Sequence, residues 1–370
     1  MAKTLVPDLA IEAAHSAIPT QMTDPKFSHK VSVHNDVDQP FDLHAVLQTR
    51  MHMVLFYKKL SNEDSGWHVG GWMKETLGRA LVENPILAGR FRRSGDGGLE
   101  IVSNDNGVRC VEAQTSLSLE EFLQSKDKSE AEAELVFWNN VDEVNPQFSP
   151  LFYVQVTNFQ GGGYSVGLSY NLLLIDPLLL DKFLNKWLDI HRNMAFDDEI
   201  PKIPLFYAPN FKQTIPQSTN GFTSNPSGKT SKTTMFSIST NEKLKAGDEI
   251  CKYLVLLCIE EAEREHELDY QMGSNFMLIT KESNGDVQVE KSYKEGIVGS
   301  LKNLKYELSH LKWEDLKTKE IAFRRENVPV DVSHWVACDA LEGVVLVVIS
   351  STNEDESCMN VYVTCPNKVT

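Results

Sequence analysis

The sequence predicts an α/β protein, α+β by strand order, whose mixed sheets are flanked by helices and divided between two domains. Three observations support this fold class. Residues 161–187 change from the period of a strand to that of a helix, other alternating stretches recur on both sides, and a chain of 370 residues is longer than the usual single domain.

Residues 161–187 contain the clearest strand and helix. Alternation with small polar residues predicts a strand with one apolar face, formed by Tyr164, Val166, Leu168 and Tyr170. Beyond Asp176, apolar residues recur at helical spacing, at Leu179, Leu180, Phe183, Leu184, Trp187 and Leu188. Asp176 suits the helix cap and Pro177 the first helical position, so we interpret Asp176 as a structural cap.

The same two periods predict the remaining elements. In the first half, strands are expected at residues 31–33, 46–59, 99–103, 107–113 and 151–159, and helices at 67–83 and 118–125. In the second half, strands are expected at 234–239, 276–281, 287–291, 330–337, 343–350 and 359–364, and helices at 250–267 and 297–311. The glycine triplet 161–163 provides the positive φ angles of a hairpin.

A change of composition predicts the domain boundary. Residues 200–234 carry five prolines among many Ser, Thr, Asn and Lys residues, which is typical of a segment without a core of its own. We therefore expect one domain at residues 1–199, a crossover linker at 200–234 and a shorter second domain at 235–370.

The composition excludes several functional classes. A formal charge of -16, from 36 basic and 52 acidic residues, disfavours binding to nucleic acid or anionic lipid. The six cysteines form no C-x-x-C pair or Cys/His cluster, which predicts reduced thiols and no metal site. No stretch approaches the roughly 18 uninterrupted apolar residues of a membrane span. A soluble, cytoplasmic monomer is expected.

The strand-to-helix corner resembles the plant BAHD (HXXXD-type) acyltransferases, whose signature is His-x-x-x-Asp-Gly between a strand and a helix. With residues 167–169 on the family's strand, Asp176 falls on the motif Asp and Leu172 on the histidine, which in the family is the general base. A register shifted by one residue would place Asn171 on the histidine and Ile175 on the Asp. Neither register retains an imidazole, so the motif is degenerate.

Two further segments extend the resemblance. Residues 84–90 resemble the family's Pro-x-Leu-Ala-Gly-Arg segment, at the order and distance that the family shows. Near the C-terminus the Asp-Phe-Gly-Trp-Gly motif is absent, and residues 332–335 with 342–347 resemble the wax-related ECERIFERUM-type branch instead. The resemblance implies two chloramphenicol-acetyltransferase-like domains with a solvent channel between them, for which Tyr170 and Asn171 are the candidate lining residues.

The resemblance leaves two functions open. The first is a non-catalytic accessory or acyl-ligand-binding protein of plant lipid, wax or specialised metabolism, assisting a fatty-acid condensing enzyme at the endoplasmic reticulum. The second is an active enzyme on the same fold, either an acyl-CoA-dependent O- or N-acyltransferase (acyl groups other than aminoacyl) or a repurposed lyase. No cofactor is expected, and acyl-CoA would be a co-substrate only of the active enzyme.

Three other sets of residues were weighed for chemistry. A literal H-x-x-x-D string at residues 34–38 lacks the flanking strand and helix, and about one such match is expected by chance. A hydrolase-like trio can be drawn from Ser333, His334, Asp331 and Asp339, but a nucleophile needs an exposed turn and not a strand. His191 is expected to be a cation at the C-terminal dipole of its helix.

Overall fold

The computed structural model describes residues 8–34, 42–60, 65–95, 97–195, 224, 228–265, 270–294, 304–324, 326–338, 343–353 and 356–367. Its helices are α1 (Leu43–Gln48), α2 (Gly66–Glu83), α3 (Leu119–Gln124), α4 (Lys128–Ala131), α5 (Pro177–Ala195) and α6 (Glu249–Glu265). Its strands are β1 (Leu9–Ala17), β2 (Ser28–His34), β3 (Arg50–Tyr57), β4 (Arg90–Arg93), β5 (Leu99–Val102), β6 (Val108–Ser118), β7 (Phe152–Gln160), β8 (Tyr164–Asn171), β9 (Ser231–Thr240), β10 (Asn275–Lys281), β11 (Val287–Tyr293), β12 (Tyr306–Leu311), β13 (Asp331–Ala337), β14 (Val344–Asn353) and β15 (Glu356–Pro366).

The described strands form two mixed sheets. A six-stranded sheet has the order β1-β6-β7-β8-β3-β13, in which β6 and β7 are parallel and the other pairs antiparallel. A nine-stranded sheet has the order β12-β9-β15-β14-β10-β11-β2-β5-β4, with parallel pairs at β10/β14 and β11/β2. Helices pack against both sheets, so the predicted fold class of mixed sheets flanked by helices is confirmed.

The two sheets exchange strands between the halves of the chain. Strand β13, from the C-terminal half of the chain, pairs with β3 at the edge of the six-stranded sheet. The N-terminal strands β2, β5 and β4 extend the nine-stranded sheet beyond β11. Most of residues 200–234 lies outside the described part of the chain, so the boundaries at 199 and 235 stay predictions. The pairing nevertheless ties each half to the other.

Two sequence predictions are corrected. The predicted strand 46–59 is shorter, because α1 takes its first residues: Asp42 caps that helix by accepting from the His44 N–H at 2.9 Å, and Val46 and Leu47 are buried. The predicted helix 297–311 ends as strand β12, which pairs with β9 in antiparallel fashion, and residues 295–303 lie outside the described part. Of the string at 34–38, only His34, the end of β2, is described.

One contiguous apolar core connects the two sheets. Helices α2 and α5 pack on each other and on the six-stranded sheet, and α6 covers the far face of the nine-stranded sheet with a core of its own. The corner residues Leu172 and Ile175 share the main core with Met277, Ile279 and Leu346 of the nine-stranded sheet. The corner therefore packs where the two halves meet.

Candidate functional site

The candidate site is the corner between β8 and α5, which is anchored to the start of β3. The Leu172 N–H donates to the Thr49 carbonyl at 3.1 Å, and the Leu174 N–H donates to the Asn171 carbonyl at 3.0 Å. These bonds turn the chain within four residues, so that α5 begins at Pro177.

Leu172, which the resemblance places on the family's histidine, is buried. Only 2% of its surface is exposed, and it belongs to the core that both sheets share. Its side chain has no atom that could accept a proton. The corner therefore holds an alkyl group where the resemblance would place a general base.

Asp176 caps α5, as the sequence predicts. Its Oδ1 atom accepts from the N–H groups of Leu178 and Leu179, each at 3.1 Å, which satisfies two donors of the first turn. The Tyr362 hydroxyl donates to the same oxygen at 3.2 Å. Because Tyr362 lies on β15, Asp176 joins the corner to the C-terminal half.

A buried lysine lies near this carboxylate. Lys281, at the end of β10, is 6% exposed, and burial lowers its pKa to about 8 although the charge of Asp176 opposes that shift. Lys281 is not among the three donors to Asp176 Oδ1, and Asp176 Oδ2 has no hydrogen-bond partner among the described residues. Sequence analysis missed Lys281, because a lysine that ends an apolar strand resembles an ordinary solvent-facing terminus.

Tyr170 and Asn171 use their polar groups within the fold. Both are fully buried. Asn171 donates from Nδ2 to the Leu47 carbonyl at 2.7 Å and accepts from the Leu173 N–H at 2.9 Å. Burial raises the pKa of Tyr170, whose hydroxyl donates to Met51 Sδ at 2.8 Å. Their place in a solvent channel stays a prediction.

The hydrolase-like trio is not assembled. The His334 ring packs on Trp313, with 3.7 Å between ring centroids, and burial lowers its pKa to about 3. Ser333 donates instead to Glu132 Oε2 at 2.8 Å. Asp331 pairs with Lys128, and Asp339 lies outside the described residues. Ser333, His334 and Asp331 therefore do not form the hydrogen-bonded trio that a hydrolase would need.

The interpretation of His191 as a helix-end cation is wrong. The side chain is completely buried, with Nε2 donating to the Phe323 carbonyl at 2.8 Å and Nδ1 lying 3.2 Å from Thr76 Oγ1. Burial lowers its pKa to about 4, so the imidazole is neutral near pH 7. Packing of α5 against α2 and Phe323, which no local pattern shows, decides its state.

Within the described ranges, no group of three or more His, Cys, Asp or Glu side chains could hold a metal ion. In the same residues, no helix is long and apolar enough to cross a bilayer. All six cysteines are free thiols, and burial raises the pKa of Cys110, Cys251 and Cys365 to about 12.

Residues 40–256, more than half of the chain, match the sequence profile of the Transferase family. The chain therefore belongs to this family, the BAHD acyltransferases. The strand-to-helix corner lies within the matched region.

Among the proteins similar to this chain are two ECERIFERUM proteins of Arabidopsis thaliana. It is 38% identical to Protein ECERIFERUM 26-like over 115 residues, which are 31% of this chain and 27% of the relative. It is 41% identical to Protein ECERIFERUM 26 over 117 residues, 31% and 26% of the two chains. A hydroxycinnamoyltransferase of Narcissus pseudonarcissus is 34% identical over 141 residues, 38% and 32% of the two. The chain thus matches about a third or less of each relative's length.

The crystal structure of vinorine synthase matches 96% of this chain and 94% of that chain, at 15% identity and a TM-score of 0.46.

Proposed function

We propose that this chain is a non-catalytic member of its family, acting as an accessory or acyl-ligand-binding protein. The observation that supports the proposal is the burial of Leu172 in the core shared by both sheets. The resemblance places this residue on the family's general base. Loss of a positioned general base typically costs about 10²- to 10⁴-fold in rate. The neighbouring amide of Asn171 cannot replace it, because an amide takes up no proton near neutral pH.

Lys281 supports a second candidate, a slow enzyme on the same fold. An amine with a pKa of about 8 is unprotonated in part at neutral pH and could take a proton from an acceptor. Its burial and its electrostatic link to Asp176 favour a structural role, since a base must reach the substrate's proton. The two candidates differ in what the Lys281→Met substitution does to turnover.

Turnover is tested by measuring release of the coenzyme A thiol from a panel of acyl-CoAs with alcohol and amine acceptors. We expect the wild-type chain to match the rate without protein. We expect Leu172→His to gain no activity and to be less stable, because a buried imidazole must find partners or lose its charge. The second candidate would be established if the wild type turns over substrate and Lys281→Met abolishes that turnover. The circular dichroism spectrum of the variant must be unchanged.

We also propose a partner, a fatty-acid condensing enzyme at the endoplasmic reticulum, with the chain itself a cytoplasmic monomer. The similarity to two ECERIFERUM proteins supports this proposal, because the resemblance to the ECERIFERUM-type branch implies such a role. The test is to express a plant condensing enzyme in yeast with and without this chain and to measure fatty-acid chain lengths. Longer products are expected with the chain, and identical chain-length profiles would contradict the partnership.

A further inference from the structure

A surface groove lies beside the corner, between the end of α2 and the first turns of α5. Its volume is about 350 Å³, within the range of small-molecule sites, roughly 300–1,000 Å³. The apolar lining comes from the two segments that carry the family resemblance: Ile86 and Leu87 follow α2, and Leu174 and Ile175 belong to the corner. The groove is therefore built from the best-matched parts of the chain.

The groove exposes apolar surface that the fold does not cover. Leu179 lines the groove and is 48% exposed. Phe183, one turn later on α5, is buried and closes the floor. Removing exposed apolar surface from water is favourable, so the binding of an apolar ligand in this groove would lower the free energy.

The charged residues at the rim of the groove indicate which polar group the ligand carries. Lys182 and Lys186 lie three and seven residues after Leu179 on α5 and both line the groove. Lys186 forms an ion pair with Glu83 across the groove. Lys182 is exposed and has no ion-pair or hydrogen-bond partner among the described residues. The rim therefore offers one uncompensated positive charge.

We propose that this groove binds a single-chain carboxylate amphiphile, a free fatty acid, with its alkyl chain along Leu179 and Phe183 and its carboxylate at Lys182. One free ammonium matches one carboxylate. It does not match the several phosphate charges of an acyl-CoA, which would face Glu83 as well. This inference names a ligand for the proposed acyl-ligand-binding function. It rests on the proposed function only in assuming that the bound ligand is not turned over.

Isothermal titration of the full chain with dodecanoate, dodecanol and dodecanoyl-CoA tests the site. We expect dodecanoate to bind at one site per chain and more tightly than dodecanol or dodecanoyl-CoA. Leu179→Asp should weaken dodecanoate about tenfold or more, because it removes apolar contact and adds a repelling charge. Lys182→Glu should weaken dodecanoate about tenfold and leave dodecanol unchanged.

Matched controls lie outside the groove. Lys243→Glu makes the same charge change at an exposed lysine, and Val144→Asp makes a similar apolar-to-acid change at a residue that is 79% exposed. Both should bind dodecanoate as the wild type does. The proposal is overturned if dodecanoate does not bind, if dodecanoyl-CoA binds more tightly, or if the groove variants behave like these controls. Thiol release in the turnover assay would refute the non-catalytic role without bearing on these titrations.

Discussion

At the scale of single residues, burial decides which groups carry charge. His191 and Lys281 are both ionisable, and burial lowers the pKa of each, to about 4 and about 8 respectively. A lowered pKa means that the folded state binds protons less readily than the unfolded chain. Each group therefore makes stability depend on pH over a defined window.

For His191 that window lies between about pH 4 and 6.5. The unfolded imidazole, with a pKa of 6.5, takes up a proton that the folded one refuses, so stability falls as the pH falls through this range. The loss approaches about 3 kcal/mol at pH 4. Urea unfolding from pH 4 to 7 should show a His191→Gln variant losing correspondingly less stability on acidification than the wild type.

The control for this measurement is His34→Gln, at the end of β2, where the side chain is exposed. It should leave the acid dependence of the wild type unchanged. If the profiles of wild type and His191→Gln run parallel from pH 7 to 4, the buried neutral imidazole is refuted.

At the scale of elements, a buried carboxylate fixes β13 to the first half of the chain. Glu132, in the turn after α4, is 1% exposed and contacts Lys128, Lys229 and the Ser333 hydroxyl. Ser333 lies on β13 and Lys229 just before β9. A single carboxylate thus joins three separate segments beside the edge of the six-stranded sheet.

Removing this charge should destabilise the protein. Glu132→Gln leaves the partly buried Lys229 ammonium without a carboxylate, whereas Lys128 keeps its ion pair with Asp331. We expect a loss of about 2 kcal/mol in the free energy of unfolding. Glu120→Gln, at an exposed position on α3, should change it by less than about 0.5 kcal/mol. Equal urea midpoints for the two variants would mean that the Glu132 contacts add nothing.

Elements with a strong local pattern could be predicted from the sequence, and those that depend on partners could not. The strand β8 follows from alternation, and the helix α5 follows from an apolar stripe that begins after its cap, Asp176. Helix α1 could not be predicted, because a run of only six residues rich in apolar side chains is also typical of a strand. Strand β12 exists through its pairing with β9, which lies far away in the chain.

The same limit applies to the site. The cap at Asp176 could be predicted from the sequence, and the placement of Leu172 on the family's histidine rests on the resemblance alone. Lys281 and Tyr362 reach the corner only through the stacking of β10 and β15 beneath it, and the neutral state of His191 depends on a carbonyl 132 residues away. Tertiary packing, and not residue type, decides these features.

At the scale of the whole molecule, the exchanged strands make the two halves one folding unit. Each sheet contains strands from both sides of the predicted crossover, and the apolar core continues across it. Separating the halves would expose that core and break the ladders β11/β2 and β13/β3. Covalent continuity through the crossover is therefore not what holds them together.

Limited proteolysis tests this arrangement. The Pro, Ser and Thr content of residues 216–232 predicts the first cleavage there. The two fragments should elute together from a native sizing column and separate only after denaturation. Fragments that elute separately without denaturant would contradict the shared core and any ligand site between the halves.

The central claim is that Leu172, which the resemblance places on the family's base, is inaccessible inside the core. Leu172→Cys measures this directly, with Leu179→Cys on the neighbouring exposed face as its match. Labelling by N-ethylmaleimide under native conditions, followed peptide by peptide with mass spectrometry, gives both rates, and the fully buried Cys258 gives an internal reference. We predict that Cys at position 172 reacts at least about 100-fold more slowly than Cys at position 179, close to the rate of Cys258. Equal rates at positions 172 and 179, in a variant as stable as the wild type, would show an open channel at the corner and contradict the account.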